Sequence, residues 1–534
     1  MNTRAPALTV SSATGVDVRW PVAGPGARSL AFLIDWCIRA ILAVAWYVLG
    51  ALLYNRDWTL SPPLSPHAAW FITVVAPCAA IYFLYHPVLE TATRGQTPGK
   101  RMAGVRIASR DGGVPGVGAL LIRNVFRLVD SLPAAYALGL IATLATRHHV
   151  RIGDLAAGTV LVFQPSDAEL PGLAGSGMSP SRRAAGRIQV LDDRRADDAS
   201  EAIALFDEYR SLARDVAQAR RLDPETPPGT ALESSYAQLH TALHRPAWNL
   251  KQAAMKYLRE DIPDVVVWLR PYIIWTSALF LLTALAGYWL VHTYPGLIGL
   301  FASPDLIATV QRGQLWTEGL LNVVPSSVLS LQILTNNVVV SLFAYCAGFL
   351  FGLGTLYILG LNGLMLGAIF AFTAQHDLDD DLFRFMVAHG CVEISVMCLS
   401  GAAGAAVGEA LIRPQQASRT AAFQFAALRS GKLILACVVL LIGCGLIEGY
   451  VSPNPSVPLW LRVTIGVLYW LVMVALLAGW LFPGRTRRSG RLHHHQSRPG
   501  QPQPADERST PGARAAALRT PAEPSVRARL RSPR

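Results

Sequence analysis

Apolar residues along the chain fall into long runs separated by short polar breaks. The first two runs are about Arg28–Leu53 and Ala68–Leu89, parted by a Pro-rich stretch from Asn55 to Pro66. Six more lie at about Tyr272–Val291, Asn337–Leu353, Thr355–Thr373, Phe385–Ile412, Leu433–Tyr450 and Leu459–Leu481. Each reaches or approaches the roughly 18 residues that cross a bilayer as a helix. Pro133–Thr146 is shorter, about 21 Å as a helix, against a hydrocarbon core of roughly 30 Å. Val117–Thr146 therefore reads as a re-entrant helical pair broken near Pro133. The segment Gly104–Gly113 alternates and then turns, which predicts a small β-hairpin on the membrane surface. In Glu201–Leu222, residues Ile203, Leu205, Phe206, Tyr209, Leu212 and Val216 keep helical spacing, and a second helix follows at Ala231–Leu243 beyond the break at 223–229. This pair is expected as a helical hairpin on the membrane surface. The fold class that follows is an all-α polytopic membrane protein. It has about eight transmembrane helices, one re-entrant hairpin and a helical cytoplasmic segment.

Composition agrees with this pattern. Hydrophobic residues make up 52% of the 534 residues and charged residues 15%, against about 25% charged in soluble domains. Mean hydropathy is +0.34. A soluble monomer is excluded. Residues 1–27 hold no apolar stretch suited to a cleaved signal peptide, so the first spanning helix is expected to act as the insertion signal. All seven cysteines lie in apolar runs without a CxxC pair. They are expected to act as small hydrophobes, with neither disulfides nor a structural metal.

The formal charge of +12 is not one field. Twelve Arg in Pro483–Arg534 face only Asp506, Glu507 and Glu523, so +9 sits in that tail. A basic cytoplasmic tail beside anionic lipid is the simpler account, and no nucleic-acid partner is expected. Loop charges orient the spans. Arg413, Arg419, Arg429 and Lys432 mark one loop as inside, whereas Asp377, Asp379, Asp380 and Asp381 mark another as outside. Both termini then face the cytoplasm. The expected domains are a cytoplasmic N-terminus at 1–27, a membrane domain at 28–163, and a cytoplasmic linker with a helical hairpin at 164–270. A second bundle occupies 271–482, and a basic disordered tail 483–534.

Polar residues inside apolar runs carry the chemistry. The first domain holds Arg28, Asp35 and Arg39 on one helix face, then Glu90, the string Gly95-Gln-Thr-Pro-Gly-Lys-Arg101, Arg123, Arg127, Asp130 and the string Arg151-Ile-Gly-Asp154-Leu-Ala-Ala-Gly158-Thr159. A phosphate loop is excluded, because Arg101 follows Lys100 where Ser or Thr is required. Unpaired acids in spans are costly, so Asp35 is expected to pair with Arg39, and Asp154 and Glu90 to meet Arg123, Arg127 or Arg151. These residues resemble the RDD family over about residues 16–163, with Arg28, Asp35 and Asp154 at its naming positions.

The second bundle carries Asn336-Asn337, Asn362-Gly363, His389-Gly390-x-x-Glu393 and Glu448-Gly449. Three GxxxG steps, Gly348/Gly352, Gly363/Gly367 and Gly404/Gly408, predict close helix packing. His389 and Glu393 share a face on the Phe385–Ile412 helix. HExxH is absent and no third ligand is obvious, so a buried pair bonded to Asn337 or Asn362 is expected rather than a metal. The order of these motifs resembles the stage II sporulation protein M family over about residues 188–482, the segment around Trp316 included.

No nucleophile–base set, nucleotide motif or cofactor box stands out, so no enzyme activity and no cofactor are expected. The resemblances imply a bacterial inner-membrane protein that assembles or anchors a cell-envelope complex. In spore formers the second family belongs to a peptidoglycan-remodelling complex during engulfment. Both resemblances imply other membrane proteins and an AAA+ ATPase of the MoxR kind as partners besides the bilayer, and a homo-oligomer is open. The alternative is a transporter, since the RDD family is thought to include sodium/proton antiporters. A transporter needs Asp35, Glu393 or Glu448 to line a polar cavity, and a scaffold needs them tied in closed pairs.

Overall fold

The structure is a computed structural model. It describes residues 6–12, 14–60, 70–132, 136–164, 199–222, 232–233, 235–237, 239–241, 250–315, 326–454 and 456–482. The expected linker Pro165–Arg187, the break at 223–229, Pro133, Trp316 and the basic tail lie outside the described residues.

Seven described helices are long and apolar enough to cross a membrane: Pro25–Asn55, Thr73–Ala92, Lys251–Thr293, Leu353–Ala374, Gly390–Ile412, Arg419–Tyr450 and Leu459–Leu477. Their outward faces carry Leu33, Ile41, Phe83, Trp275, Val439 and many other large exposed apolar side chains. Such a surface is stable against lipid, where a helix satisfies its own backbone groups. The eighth expected run forms Ser326–Cys346, followed by a 3-10 turn at Ala347–Phe349. The chain reverses at Phe351 and Gly352, both at positive φ, slightly before the break between the expected runs Asn337–Leu353 and Thr355–Thr373.

The first half opens with an unexpected pair of strands, β1 (Ala7–Val10) and β2 (Val18–Pro21), joined as an antiparallel hairpin. Helix α1 (Pro25–Asn55) packs on α2 (Ala76–Ala92). The short α3 (Pro98–Met102) leads into β3 (Val105–Ser109). This strand lies where alternation placed a hairpin, but its partner is β4 (Thr159–Phe163), with Ile107 opposite Leu161. Both sheet faces are covered, so alternate residues enter different cores. Val105, Ile107 and Leu161 pack with Leu120, and Ala108, Val160 and Val162 pack the other way.

The second face carries the two helices expected after the linker. Helix α4 (Ala199–Leu222) and the helical residues of 232–241 pack on each other and on the strands. Tyr209, Leu212 and Val216 join Tyr236 and Leu239 in one core with Trp20, Val22 and Val162. Tyr209 and Tyr236 stack at 5.0 Å, and the Tyr209 hydroxyl lies 2.8 Å from His240 Nδ1.

Between the strands lie four short helices: α5 (Val117–Val125), α6 (Arg127–Asp130), α7 (Ala137–Ala145) and α8 (Ile152–Ala157). None is long enough to span, in keeping with the re-entrant pair.

In the second half, α9 (Ile262–Thr293) packs along α11 (Leu353–Ala374), and α10 (Ser326–Cys346) meets α13 (Gly390–Ile412) and α14 (Arg419–Tyr450). The glycine steps account for the closeness. A Cβ on Gly363 would lie 2.7 Å from the Phe280 carbonyl oxygen, and one on Gly408 2.5 Å from the Gly352 Cα. The expected Phe385–Ile412 helix is interrupted. Asp379–Met386 forms α12, and His389 caps α13 at φ −131°. The two halves share a core, with Phe126 at the end of α5 edge-on to Tyr345 at 5.4 Å and to Phe423 at 5.7 Å.

Candidate functional site

Two buried polar clusters stand out. The first lies where α1, α2, α3, α5 and α8 meet. Glu90, fully buried, accepts from Lys100 Nζ at 2.6 Å, Arg123 Nη1 at 2.8 Å and Asn124 Nδ2 at 2.8 Å. Arg127 Nη2 lies 3.5 Å away. Asp154 accepts from Arg28 Nη1 at 2.6 Å, Arg123 Nε at 2.7 Å and the Thr159 hydroxyl at 3.2 Å. It also takes the Arg151 amide at 3.3 Å, closing the first turn of α8. Asp130 accepts the amides of Ile152 at 3.0 Å and Gly153 at 3.4 Å, with Arg151 Nε 3.4 Å away. Arg123 thus bridges Glu90 and Asp154. The expected meeting of Asp154 and Glu90 with Arg123, Arg127 and Arg151 is present.

Glycines set the geometry. Gly158 ends α8 at φ +66°, a left-handed position that favours glycine. Gly99 lies so close to α1 that a Cβ would reach 2.7 Å from the Asp35 carboxyl carbon. This approach overturns the Asp35–Arg39 pairing. Asp35 accepts from the Thr97 hydroxyl at 2.5 Å, the Gly99 amide at 2.8 Å and the Tyr85 hydroxyl at 2.9 Å. Arg39 stacks over the Tyr82 ring at 4.3 Å instead. Neutral donors delivered by the Thr97-Pro-Gly99 turn satisfy the carboxylate.

Electrostatics follow from this crowding. Burial pushes the Lys100 ammonium down to about 8, with Glu90 opposing the shift and Arg123 and Arg127 adding to it. Burial alone would raise the Asp154 carboxyl. Arg28, Arg123 and Arg151 outweigh it and hold Asp154 well below the usual carboxylate range. A nearby cavity of about 610 Å³ is lined by Phe32, Trp36, Arg39, Tyr82, Arg127 and Tyr136 among others, and by no carboxylate among the described residues.

The second cluster joins the start of α13 to the end of α14. His389 Nε2 lies 3.9 Å from Glu393 Oε2 and 3.7 Å from Glu448 Oε1. Its Nδ1 is 3.0 Å from Ser452 Oγ. Asn337, one of the two expected neighbours, lies beside Glu393. Asn362 is not brought here, since its Nδ2 donates to the Ile358 carbonyl at 2.8 Å. Asn336 is exposed and faces Asn337 at 3.4 Å. Glu448 supplies the third group that the sequence did not reveal.

Lys100, Thr97, Tyr85 and Ser452 were missed as site residues. The string Gly95–Arg101 already contained two of them, and Ser452 closely follows Glu448-Gly449. Nothing local marks Tyr85, whose role depends on the pairing of α1 with α2. The RDD family model matches residues 22–158, and the stage II sporulation protein M model matches residues 276–453. No curated protein and no solved structure matches the chain. One polypeptide therefore carries a segment that matches the RDD family and a later one that matches the stage II sporulation protein M family, in the order the sequence analysis expected.

Proposed function

We propose that the chain is a non-enzymatic scaffold of a cell-envelope complex, set in the bacterial inner membrane with both termini in the cytoplasm. One observation carries this reading: Asp35, Glu90, Asp130 and Asp154 are all tied to cations or donors within the first half. Closed carboxylates hold a fold together, whereas a cation path needs them open to a cavity. The shared core around Phe126 fits a single rigid unit that other membrane proteins and an AAA+ ATPase of the MoxR kind grip from the cytoplasmic side. Co-purification from mild detergent, followed by identification of the bound proteins, tests it. The scaffold recovers a defined set of envelope proteins. Sodium/proton exchange by the pure chain in proteoliposomes, with no partner recovered, overturns it in favour of a transporter. The second cluster gives that alternative its footing, because the buried Glu448 Oε2 has no hydrogen-bond partner among the described residues.

A further inference from the structure

We infer that His389, Glu393 and Glu448 bind a divalent transition-metal ion, one imidazole nitrogen and two carboxylate oxygens supplying the ligands. Their donor atoms all lie within 4.8 Å of one another. A tetrahedral ion with bonds of about 2.1 Å holds its ligands about 3.4 Å apart. The separations of 3.7 and 3.9 Å from His389 Nε2 need only small closure to reach that spacing. They are also too long for hydrogen bonds. The cluster is therefore not closed on itself as Glu90 is by Lys100 at 2.6 Å.

Two further observations point to a ligand. Glu448 is 6% exposed, and its Oε2 is buried without a hydrogen-bond partner among the described residues. The Ser452 hydroxyl holds His389 Nδ1 at 3.0 Å, which turns Nε2 toward the carboxylates. Outer partners orient metal-bound imidazoles in this way. Charge argues the same. Two carboxylates this close resist ionising together, and a dication neutralises both. A mixed nitrogen and oxygen set suits zinc, manganese or ferrous iron. Calcium takes more oxygens, and magnesium keeps most of its waters. The Glu393 side chain retains 29% exposure, which leaves a side open for water. The ion would staple the start of α13 to the end of α14, under a scaffold or a transporter alike.

The test uses the full chain in detergent with His493, His494 and His495 replaced by Ala, so that the tail offers no imidazole. The protein is stripped with EDTA, dialysed against Zn²⁺ alone, and its bound zinc measured by atomic emission. About one equivalent is expected, with affinity falling by about tenfold or more in Glu448→Gln and in His389→Ala, while elution stays monodisperse. No retained zinc in the parent, or equal retention in both variants, overturns the site. Should either variant aggregate, X-ray absorption of the zinc-loaded parent decides. One imidazole with oxygen ligands supports the assignment; thiolate sulfur or several imidazoles overturn it.

Discussion

Gly431 of α14 leaves the space that the Ile122 side chain of α5 fills. No Cβ fits at Gly431 without displacing the Ile122 side chain, so the two halves approach closely at this contact. The neighbouring Tyr345 hydroxyl donates to the Ala427 carbonyl at 2.8 Å on the same helix. Gly431→Leu is expected to destabilise by about 1–3 kcal/mol through overpacking. Gly118, whose added Cβ meets nothing within 4 Å, serves as control. Thermal unfolding in detergent should show a lowered midpoint for Gly431→Leu and little change for Gly118→Ala. Equal midpoints would mean that the halves do not depend on this contact.

Asp35 and Arg39 differ in what their loss leaves behind. Asp35→Leu strands the Tyr85 and Thr97 hydroxyls and the Gly99 amide, all buried donors. Each orphaned buried group costs about 1–3 kcal/mol. Arg39→Leu removes a guanidinium stacked on Tyr82 and leaves no carboxylate stranded. Asp35→Leu should therefore lower yield and thermal midpoint more than Arg39→Leu, with Asp35→Asn between. The reverse order would show that Arg39 is the partner that Asp35 needs.

What the sequence made legible was local. Glycines four residues apart on a helix leave room for a close neighbour whatever that neighbour is, so Gly363 and Gly408 were readable as packing sites. His389 and Glu393 sit one turn apart and were readable as a pair. Glu448 was not, because only the packing of α13 on α14 brings it to His389. The same limit explains β3. Its alternation announced a strand, but its partner lies fifty residues on, after the whole re-entrant segment. The core beneath α4 was hidden too, since Tyr209 and Tyr236 find Trp20 across a linker that carries no pattern.

Lys100 gives a pH signature. Its folded pKa of about 8 lies below the ordinary 10.5. Between these values the unfolded chain holds the extra proton, so stability gains a rising contribution as pH climbs from about 8 to 10.5. Below about 8 both states are protonated, and the cost of burying the charge is fully present. Lys100→Met removes this contribution. The wild-type midpoint minus the variant midpoint should rise across that window and stay flat between pH 6 and 7.5. A difference that falls as pH rises would show that the pairing with Glu90 at 2.6 Å outweighs burial.

The orientation can be tested on two exposed segments at either end of α13. Gln415 lies in the turn between α13 and α14, beside Arg413 and Arg419, and Asp380 lies in the acidic α12. Basic loops remain inside because positively charged segments resist translocation. With the native cysteines replaced by Ala or Ser, Asp380→Cys should react with a membrane-impermeant maleimide in intact cells. Gln415→Cys should react only after the membrane is opened. The two sites flank α13, a single span of 23 residues, so they must report opposite sides if that helix crosses. Reaction at Gln415 alone in intact cells would invert the second half. Reaction at both would mean that α13 does not cross, which its burial between α10 and α14 makes the more informative failure.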